Sequence, residues 1–372
     1  MAVYRIFPEK DTFISSETPL ANAGLDEILE IGGYSDIAGS GETSRILLQF
    51  SSNEISNVVD SIIQSNNYSA SIGLYLADAY QIPVNTTIYT YPISSSQDGW
   101  DNGTGKYGDL PQNTSGVSWK NQNTGQLNPW QTTNYQSGVT ASFSTDNQGG
   151  GTWYTSSNGI NLEFTQSNPI NSTYDININI TPAVNLWHSN SIANNGVILK
   201  LADSLEFNTT SSIRLKYYSA DTNTIYPPYL QFAWDDSIYQ TGSLSTLSDS
   251  MSVITLNNNR GKYTDVGKQR FRVSAKPKYP TRTFTTSSVY LENYALPQQS
   301  YWGIRDENTE EMLIDFDPQF TKISCDNQGG YFDVYMEGLQ PERYYRILIQ
   351  TTLDGSTTVI DNQNIFKVVR NG

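Results

Sequence analysis

The loop between Asp98 and Asp109 holds the side chains best able to bind a metal ion. Asp98, Asp101, Asn102 and Asp109 supply carboxylate and amide oxygens, and calcium takes about six to eight oxygen ligands from loops of this kind. Their spacing matches no established calcium loop. The alternative is a solvated turn, in which short polar side chains bond the local backbone. These four residues are calcium candidates, and we expect no other cofactor.

The same loop contains Gly103-x-Gly105-x-x-Gly108, which has the spacing of a dinucleotide-binding fingerprint. No buried strand precedes these glycines, and Pro111 follows them closely where a helix should begin. We therefore interpret the motif as a glycine-rich loop that holds no nucleotide.

Catalytic groups are scarce in this chain. A Ser-His-Asp triad would need His188, the only histidine, and no nucleophile motif lies near it. His188 and the single Cys325 are too few for a zinc site. Carboxylate pairs such as Asp315 and Asp317 arise by chance in an acidic chain, and nothing places two of them across a cleft. The sequence therefore favours a protein that is not an enzyme.

Aromatic side chains are the remaining functional signal. Trp130, Tyr135, Trp153 and Tyr154 lie in or beside a long insertion at about 123–160, rich in Gly, Asn, Gln, Ser and Thr. We expect these rings to be exposed and treat them as interaction candidates. Sugar-binding platforms use such rings, and so do protein interfaces, and the sequence does not separate the two.

Composition narrows the class of protein. Hydrophobic residues make up 37% of the 372 residues and charged residues 16%, with 25 tyrosines, which is typical of an all-β protein with many loops. The net charge of -15 predicts no nucleic-acid partner. No apolar run approaches the about 20 residues of a membrane span, so no membrane partner is expected, and the N-terminus lacks the apolar core of a secretory signal. A single cysteine excludes an intrachain disulfide and fits folding in a reducing cytosol.

The stretch Ile213–Trp234 predicts two strands and a turn. Ile213, Leu215 and Tyr217 alternate with polar or half-polar residues, which is the period of a strand with one buried face. Pro227 has no N–H for a ladder, so the second strand should begin after it, at the edge of a sheet.

A series of short motifs runs in order through residues 1–235. The motifs are Asp11-Thr12, Asn22-Ala23-Gly24, Arg45 to Phe50, Ser69 to Ala77, Trp100 to Thr104, Val117 to Gln122, Asn194-Asn195-Gly196 and Ile213 to Trp234. Their order resembles that of the DNRLRE-type domain, a jelly-roll β-sandwich related to carbohydrate-binding modules. The resemblance implies structural roles for Trp100, Trp119 and Trp187, and for Arg45 as a partly buried arginine paired with a carboxylate.

The C-terminal region predicts about seven strands, typical of an immunoglobulin-like sandwich, after a linker at 236–262. Leu339-x-Pro341-x-x-x-Tyr345 looks like the tyrosine corner of fibronectin-type domains, in which the tyrosine hydroxyl bonds nearby backbone. Four further phrases stand out in this region: Pro280 to Phe284, Thr309 to Glu311, Gln340 to Tyr345 and Phe366 to Arg370. In these phrases the region resembles virion structural proteins of contractile-tailed, marine myovirus-type phages.

Together these observations predict an all-β chain with few short helices: a jelly-roll domain at 1–235, the linker, and an immunoglobulin-like sandwich at 263–372. The expected function is a structural protein in the tail, neck or baseplate region of a tailed phage virion, assembled in the host cytoplasm. Expected partners are other virion proteins and further copies of the chain. The alternative is a receptor- or glycan-binding fibre or tip adhesin that binds a host glycan. A polysaccharide-degrading enzyme is disfavoured because no cleft signature is present.

Overall fold

The computed structural model describes residues 2–35, 41–65, 67–80, 85–95, 99–123, 128–132, 135–141, 149–169, 172–206, 212–249, 251–280 and 292–370. Strands account for 46% of the structure, and the described residues contain three short α-helices. The chain is therefore all-β, as its composition predicts. None of the helices in the described part of the chain is long and apolar enough to cross a membrane.

The chain divides into two compact units. The N-terminal unit is Val3–Ala233, and the C-terminal unit is Trp234–Gly372 together with Met1–Ala2.

The N-terminal unit is built from sixteen described strands. In chain order they are β1 (Ala2–Ile6), β2 (Lys10–Ser15), β3 (Ile28–Ser35), β4 (Gly41–Gln49), β5 (Tyr68–Leu74), β6 (Leu76–Tyr80), β7 (Thr86–Pro92), β8 (Val139–Thr140), β9 (Trp153–Tyr154), β10 (Ser156–Ser157), β11 (Ile160–Asn161), β12 (Phe164–Asn168), β13 (Ile176–Asn179), β14 (Val197–Leu201), β15 (Ile213–Tyr218) and β16 (Tyr229–Trp234). The helices are α1 (Ser52–Asn57), which continues as a π-helical segment at Val58–Ile63, α2 (Thr181–His188) and α3 (Asp203–Glu206).

Two larger sheets organise the strands of this unit. One has the order β1-β16-β5-β13, and the other has the order β12-β7-β14-β4-β3-β15-β6 with β2 paired to β4. The strand β15 shows why the sequence folds this way. Ile213, Leu215 and Tyr217 are buried and their neighbours are half-buried, so the alternation read from the sequence matches the two faces of the strand.

The C-terminal unit contains β17 (Ser252–Leu256), β18 (Lys262–Thr264), β19 (Lys268–Pro277), β20 (Ser300–Asp306), β21 (Met312–Ile314), β22 (Ser324–Asp326), β23 (Gly329–Tyr335), β24 (Tyr344–Leu353) and β25 (Ser356–Val369). They form one sheet of order β17-β19-β23-β22 and one of order β18-β25-β24-β20-β21. The core includes Phe271, Trp302, Phe332, Tyr345 and Phe366, whose rings contact one another.

The segment 236–262, expected as a linker, contains a strand. β17 pairs with β19 in antiparallel register, from Ser252 opposite Pro277 to Leu256 opposite Val273. Ile254 is buried while Val253 and Thr255 are exposed. Only Ile254 and the half-buried Leu256 of this strand pack against the core. An apolar pattern that short carries little signal in a sequence.

Candidate functional site

Arg45 lies at the centre of a buried charge cluster. Its guanidinium makes two hydrogen bonds to the Glu206 carboxylate, at 2.7 and 2.9 Å, and a third to the carbonyl oxygen of Gly150. The Nζ of Lys200 lies 3.1 Å from the same carboxylate. The side chains of Arg45 and Glu206 are both fully buried. The expectation of a partly buried arginine therefore understated its burial, because the insertion closes over it.

Tryptophans of the insertion and of the segment just before it pack inward. The Arg45 guanidinium lies 4.9 Å from the Trp119 ring and 5.3 Å from the Trp153 ring. Trp153 is 3% exposed, and Trp130, which donates a hydrogen bond to Ser118 O, is 2% exposed. The expectation that Trp130 and Trp153 form an exposed platform is therefore wrong. Both rings belong to the hydrophobic core of the unit.

A glycine explains how the insertion comes so close. Gly150 has φ +80°, and a Cβ there would lie 2.7 Å from both the Arg45 guanidinium and the Trp119 ring. Only glycine allows this approach in this conformation. The remaining two interaction candidates, Tyr135 and Tyr154, are half-buried, and the Tyr154 hydroxyl accepts a hydrogen bond from Gln136 at 3.2 Å.

The loop of the calcium candidates is organised by a side chain from elsewhere. The Asn22 amide donates to Asn102 O and Val117 O and accepts from the N–H groups of Gly24 and Gly105. The Asn102 amide donates to Gly24 O.

The carboxylates of the same loop face other partners. The Asp109 carboxylate accepts the Lys106 N–H, and Asp101 is exposed. Asp98 lies outside the described residues. Among the described residues no group of three or more His, Cys, Asp or Glu side chains is placed to hold a metal ion. In the described part of the loop, the glycine-rich motif and the turn residues make hydrogen bonds that fix the backbone conformation.

The other singled-out residues make structural contacts. The Trp100 indole donates to Asn195 O at 2.9 Å, and Trp187 is buried on α2. The Nε2 of His188 lies 3.0 Å from the Asp60 carboxylate. The Tyr345 hydroxyl donates to Gln340 O, five residues upstream, at 2.8 Å.

Four tyrosines at or beside the ends of β5, β15 and β16 form one aromatic surface, which we call the tyrosine surface. Tyr75, Tyr218, Tyr226 and Tyr229 form it. The Tyr75 ring centroid is 5.0 Å from that of Tyr226 and 5.8 Å from that of Tyr229, and the Tyr218 and Tyr226 rings stack at 5.9 Å. Tyr226 is 43% exposed, and the other three are half-buried.

The tyrosine surface is fixed from below and from the side. The Tyr229 ring lies over Gly73, where a Cβ would meet the ring at 2.1 Å. The Arg5 guanidinium lies 4.1 Å from the centre of the same ring and donates a hydrogen bond to Gln231 at 2.8 Å. Burial raises the pKa of Tyr229, and the neighbouring Tyr75 raises it further. The Tyr229 hydroxyl therefore stays protonated at neutral pH and can donate a hydrogen bond.

Chemically, this arrangement suits binding rather than catalysis. It offers ring faces, phenol hydroxyls and a guanidinium, which can stack on and hydrogen-bond to a sugar or a protein loop. Beside it, the outer strand β1 exposes Val3, Tyr4 and, just beyond its end, Phe7. β1 is the end strand of its sheet, with no strand on its far side among the described residues.

Sequence reasoning missed the tyrosine surface although three of its members lie in Ile213–Trp234. The signal available was the pair Tyr218 and Tyr226 on either side of a turn, which brings the two rings to one edge. Tyr75 comes from a distant strand, and nothing in the sequence shows that Gly73 leaves room for a ring.

Comparison with known proteins adds little. No family model matches the chain, and no curated protein matches it. Among solved structures, a DUF4785 family protein from Legionella pneumophila is similar over 98% of this chain and 67% of its own length, with 9% sequence identity and a TM-score of 0.19. A TM-score that low carries no argument about fold or function.

Proposed function

We propose that this chain is a structural, non-enzymatic protein of a tailed bacteriophage virion that acts by docking to other proteins. The observation that carries the proposal is the open outer edge of β1, with its exposed Val3, Tyr4 and Phe7 beside the tyrosine surface. Unpaired strand edges recruit other chains, and exposed apolar patches mark protein interfaces. The resemblance of the C-terminal region to virion proteins favours a phage particle as the assembly in which the chain docks.

The finer architecture belongs to the same proposal. We propose a jelly-roll sandwich for the N-terminal unit and an immunoglobulin-like sandwich for the C-terminal unit. Two multistranded sheets in each unit support this, as does the hydroxyl-to-backbone bond of Tyr345. The partners are other virion proteins and further copies of the chain, within a particle assembled in the host cytoplasm. An acidic chain suits neither nucleic acid nor an anionic membrane surface.

The test is to locate the chain on intact particles. Purified phage particles are examined by mass spectrometry, and cryo-electron microscopy then assigns the density. We expect the chain in a ring, sleeve or baseplate position, with at least about 1,000 Å² buried against neighbours. A protein that is found only in the lysate, and never in washed particles, would refute the proposal.

The second candidate is glycan binding by a fibre or tip adhesin, and the tyrosine surface favours it. Tyrosine rings beside Arg5 and Gln231 offer both stacking and hydrogen bonds. A glycan array tests this with the variant Tyr226→Ala. The matched control is Tyr80→Ala, which removes another exposed tyrosine that is 59% exposed. An array without hits for the wild-type protein counts against this candidate and leaves the structural role standing.

A further inference from the structure

A groove opens beside β23 in the C-terminal unit. β22 pairs only with Gly329–Tyr331, so the rest of β23 borders a cavity of about 560 Å³. Its apolar wall includes Trp302 and Phe332, whose rings stack with centroids 5.0 Å apart. Ile238 and Phe320 also line it and are 50% and 49% exposed. The groove can therefore accept a large apolar side chain.

The groove is locally basic in an acidic chain. Arg270, which lines it, lies 4.2 Å over the Tyr331 ring. Arginine and tyrosine are enriched at the centres of protein interfaces. The local balance is +1, against -15 for the whole chain. The charged side chains that line the groove are the three cations Lys268, Arg270 and Lys322 and the two carboxylates Asp236 and Asp333.

The N-terminal unit carries a loop with the opposite character. Leu110 is 93% exposed. Four carboxylates bind the residues just before it: Glu27 bonds the Lys106 side chain, Asp109 the Lys106 N–H, Asp26 the Tyr107 N–H and Glu17 the Tyr107 hydroxyl. An apolar tip thus stands in an acidic setting. We call this segment, Lys106–Leu110, the acidic loop.

We propose that the acidic loop of one copy docks into the groove of a second copy. Leu110 enters the apolar wall, and the surrounding carboxylates face the cations of the rim. Charge distribution supports a second copy as the occupant, because Val3–Ala233 holds 20 of the 37 acidic residues and only 8 of the 22 basic ones. The contact joins two different surfaces, so it is heterologous and adds copies into a ring or a row.

This inference rests on the proposed docking function and deepens it by naming the partner and both surfaces. The first test is sedimentation velocity of the full chain up to 100 µM in about 50 mM salt, where charge attraction is only weakly screened. We expect concentration-dependent species larger than a dimer. Leu110→Ser should raise the dissociation constant about tenfold or more, because a leucine that becomes buried in the contact between copies is replaced by a polar side chain.

The matched control is Ile225→Ser, which removes another apolar side chain, 84% exposed, outside the acidic loop. It should associate like the wild-type protein. A wild-type chain that stays monomeric at 100 µM overturns the inference. If both variants lose association to the same extent, or if neither variant loses it, the inference is overturned as well.

The groove side is tested by reversing two charges on β19. Lys268→Glu with Arg270→Glu should weaken association, and the loss should shrink at 500 mM salt because charges are then screened. The control is Arg260→Glu with Lys262→Glu, the same charge change at and before β18 in the other sheet. If both double variants weaken association equally, the effect comes from the net charge of the chain and not from the groove.

A disulfide between copies gives a direct readout. Leu110→Cys and Phe320→Cys in one chain should cross-link one copy to the next under mild oxidation, whereas Ile225→Cys with Phe320→Cys should not. The native Cys325 is buried. Failure of the first pair to cross-link while wild-type chains associate shows a different interface.

Particle analysis separates the two proposals. If the chain is found in particles but the purified protein does not self-associate, the inference fails and the structural role stands. If it self-associates through these surfaces but is absent from particles, the proposed function fails and the inference stands.

Discussion

Replacing Glu206 by glutamine should destabilise the N-terminal unit by about 3–5 kcal/mol, the usual cost of removing one partner of a buried ion pair. Glu206→Gln keeps the shape of the side chain and removes its charge. Any loss therefore reports the electrostatic role of the carboxylate rather than a cavity.

The size of this effect follows from the burial of the cluster. Glu206 and Arg45 have no exposed side-chain area, and Lys200 is 3% exposed. In the variant, both cations lose the Glu206 carboxylate, and Lys200 keeps its pair with Asp203, whose side chain is 69% exposed. The rings of Trp119 and Trp153 lie against the guanidinium, so water cannot hydrate it once the carboxylate charge is gone.

The assay is equilibrium unfolding in urea, followed by tryptophan fluorescence. Five of the seven tryptophans lie in the N-terminal unit, so the signal reports mainly on it. The control is Glu27→Gln, which breaks the exposed pair with Lys106, where the two side chains are 54% and 51% exposed. Exposed pairs contribute about 0–1 kcal/mol.

A double variant sharpens the test. Adding Arg45→Met to Glu206→Gln removes the buried guanidinium that has lost the Glu206 carboxylate, and part of the lost free energy of unfolding should return. If Glu206→Gln costs no more than Glu27→Gln, the cluster does not behave as a buried ion pair, and the reasoning is refuted.

Three further predictions concern single side chains. Tyr345→Phe should lower the free energy of unfolding by about 0.5–1.5 kcal/mol, measured in urea, because the bond to Gln340 is lost. Burial raises the pKa of Asp11 from 3.8 to about 6 although its carboxylate accepts the Ala220 N–H. The folded state therefore holds this proton more tightly, and the contribution of Asp11 to stability is full below pH 4 and lost as pH rises through 6. Between pH 4 and 7, the free energy of unfolding of Asp11→Asn should fall by about 3 kcal/mol less than that of the wild-type protein. A variant whose free energy of unfolding falls with pH as steeply as that of the wild-type protein would contradict this prediction. Burial also raises the pKa of the Cys325 thiol, so a thiol reagent should modify it only after unfolding, which mass spectrometry detects.

Much of the fold follows from local pattern. The alternation in β15 and the position of Pro227 before β16 indicated two strands. These signals are local because the faces of a strand depend on near neighbours in the sequence. Short strands such as β17 escape this reasoning.

The site could be predicted less well, because its contacts join distant residues. Arg45 was expected to pair with a carboxylate, but Glu206 lies 161 positions away on a four-residue helix. The exposure of Trp130 and Trp153 was misjudged for a similar reason. A glycine-rich insertion resembles a surface excursion, and only the approach of Gly150 to Arg45 shows that it folds back on the core.

The pairing of β1 with β16 also bears on how the protein is made. The first strand finds its neighbour only when Tyr229–Trp234 has left the ribosome. Until then, about 225 residues of the unit have been synthesised while the sheet still lacks β16. Contacts between residues so distant in sequence also form slowly. The exposed Val3, Tyr4 and Phe7 are then most vulnerable to wrong pairing. We therefore expect the nascent chain to need protection by a chaperone until the N-terminal unit is fully synthesised.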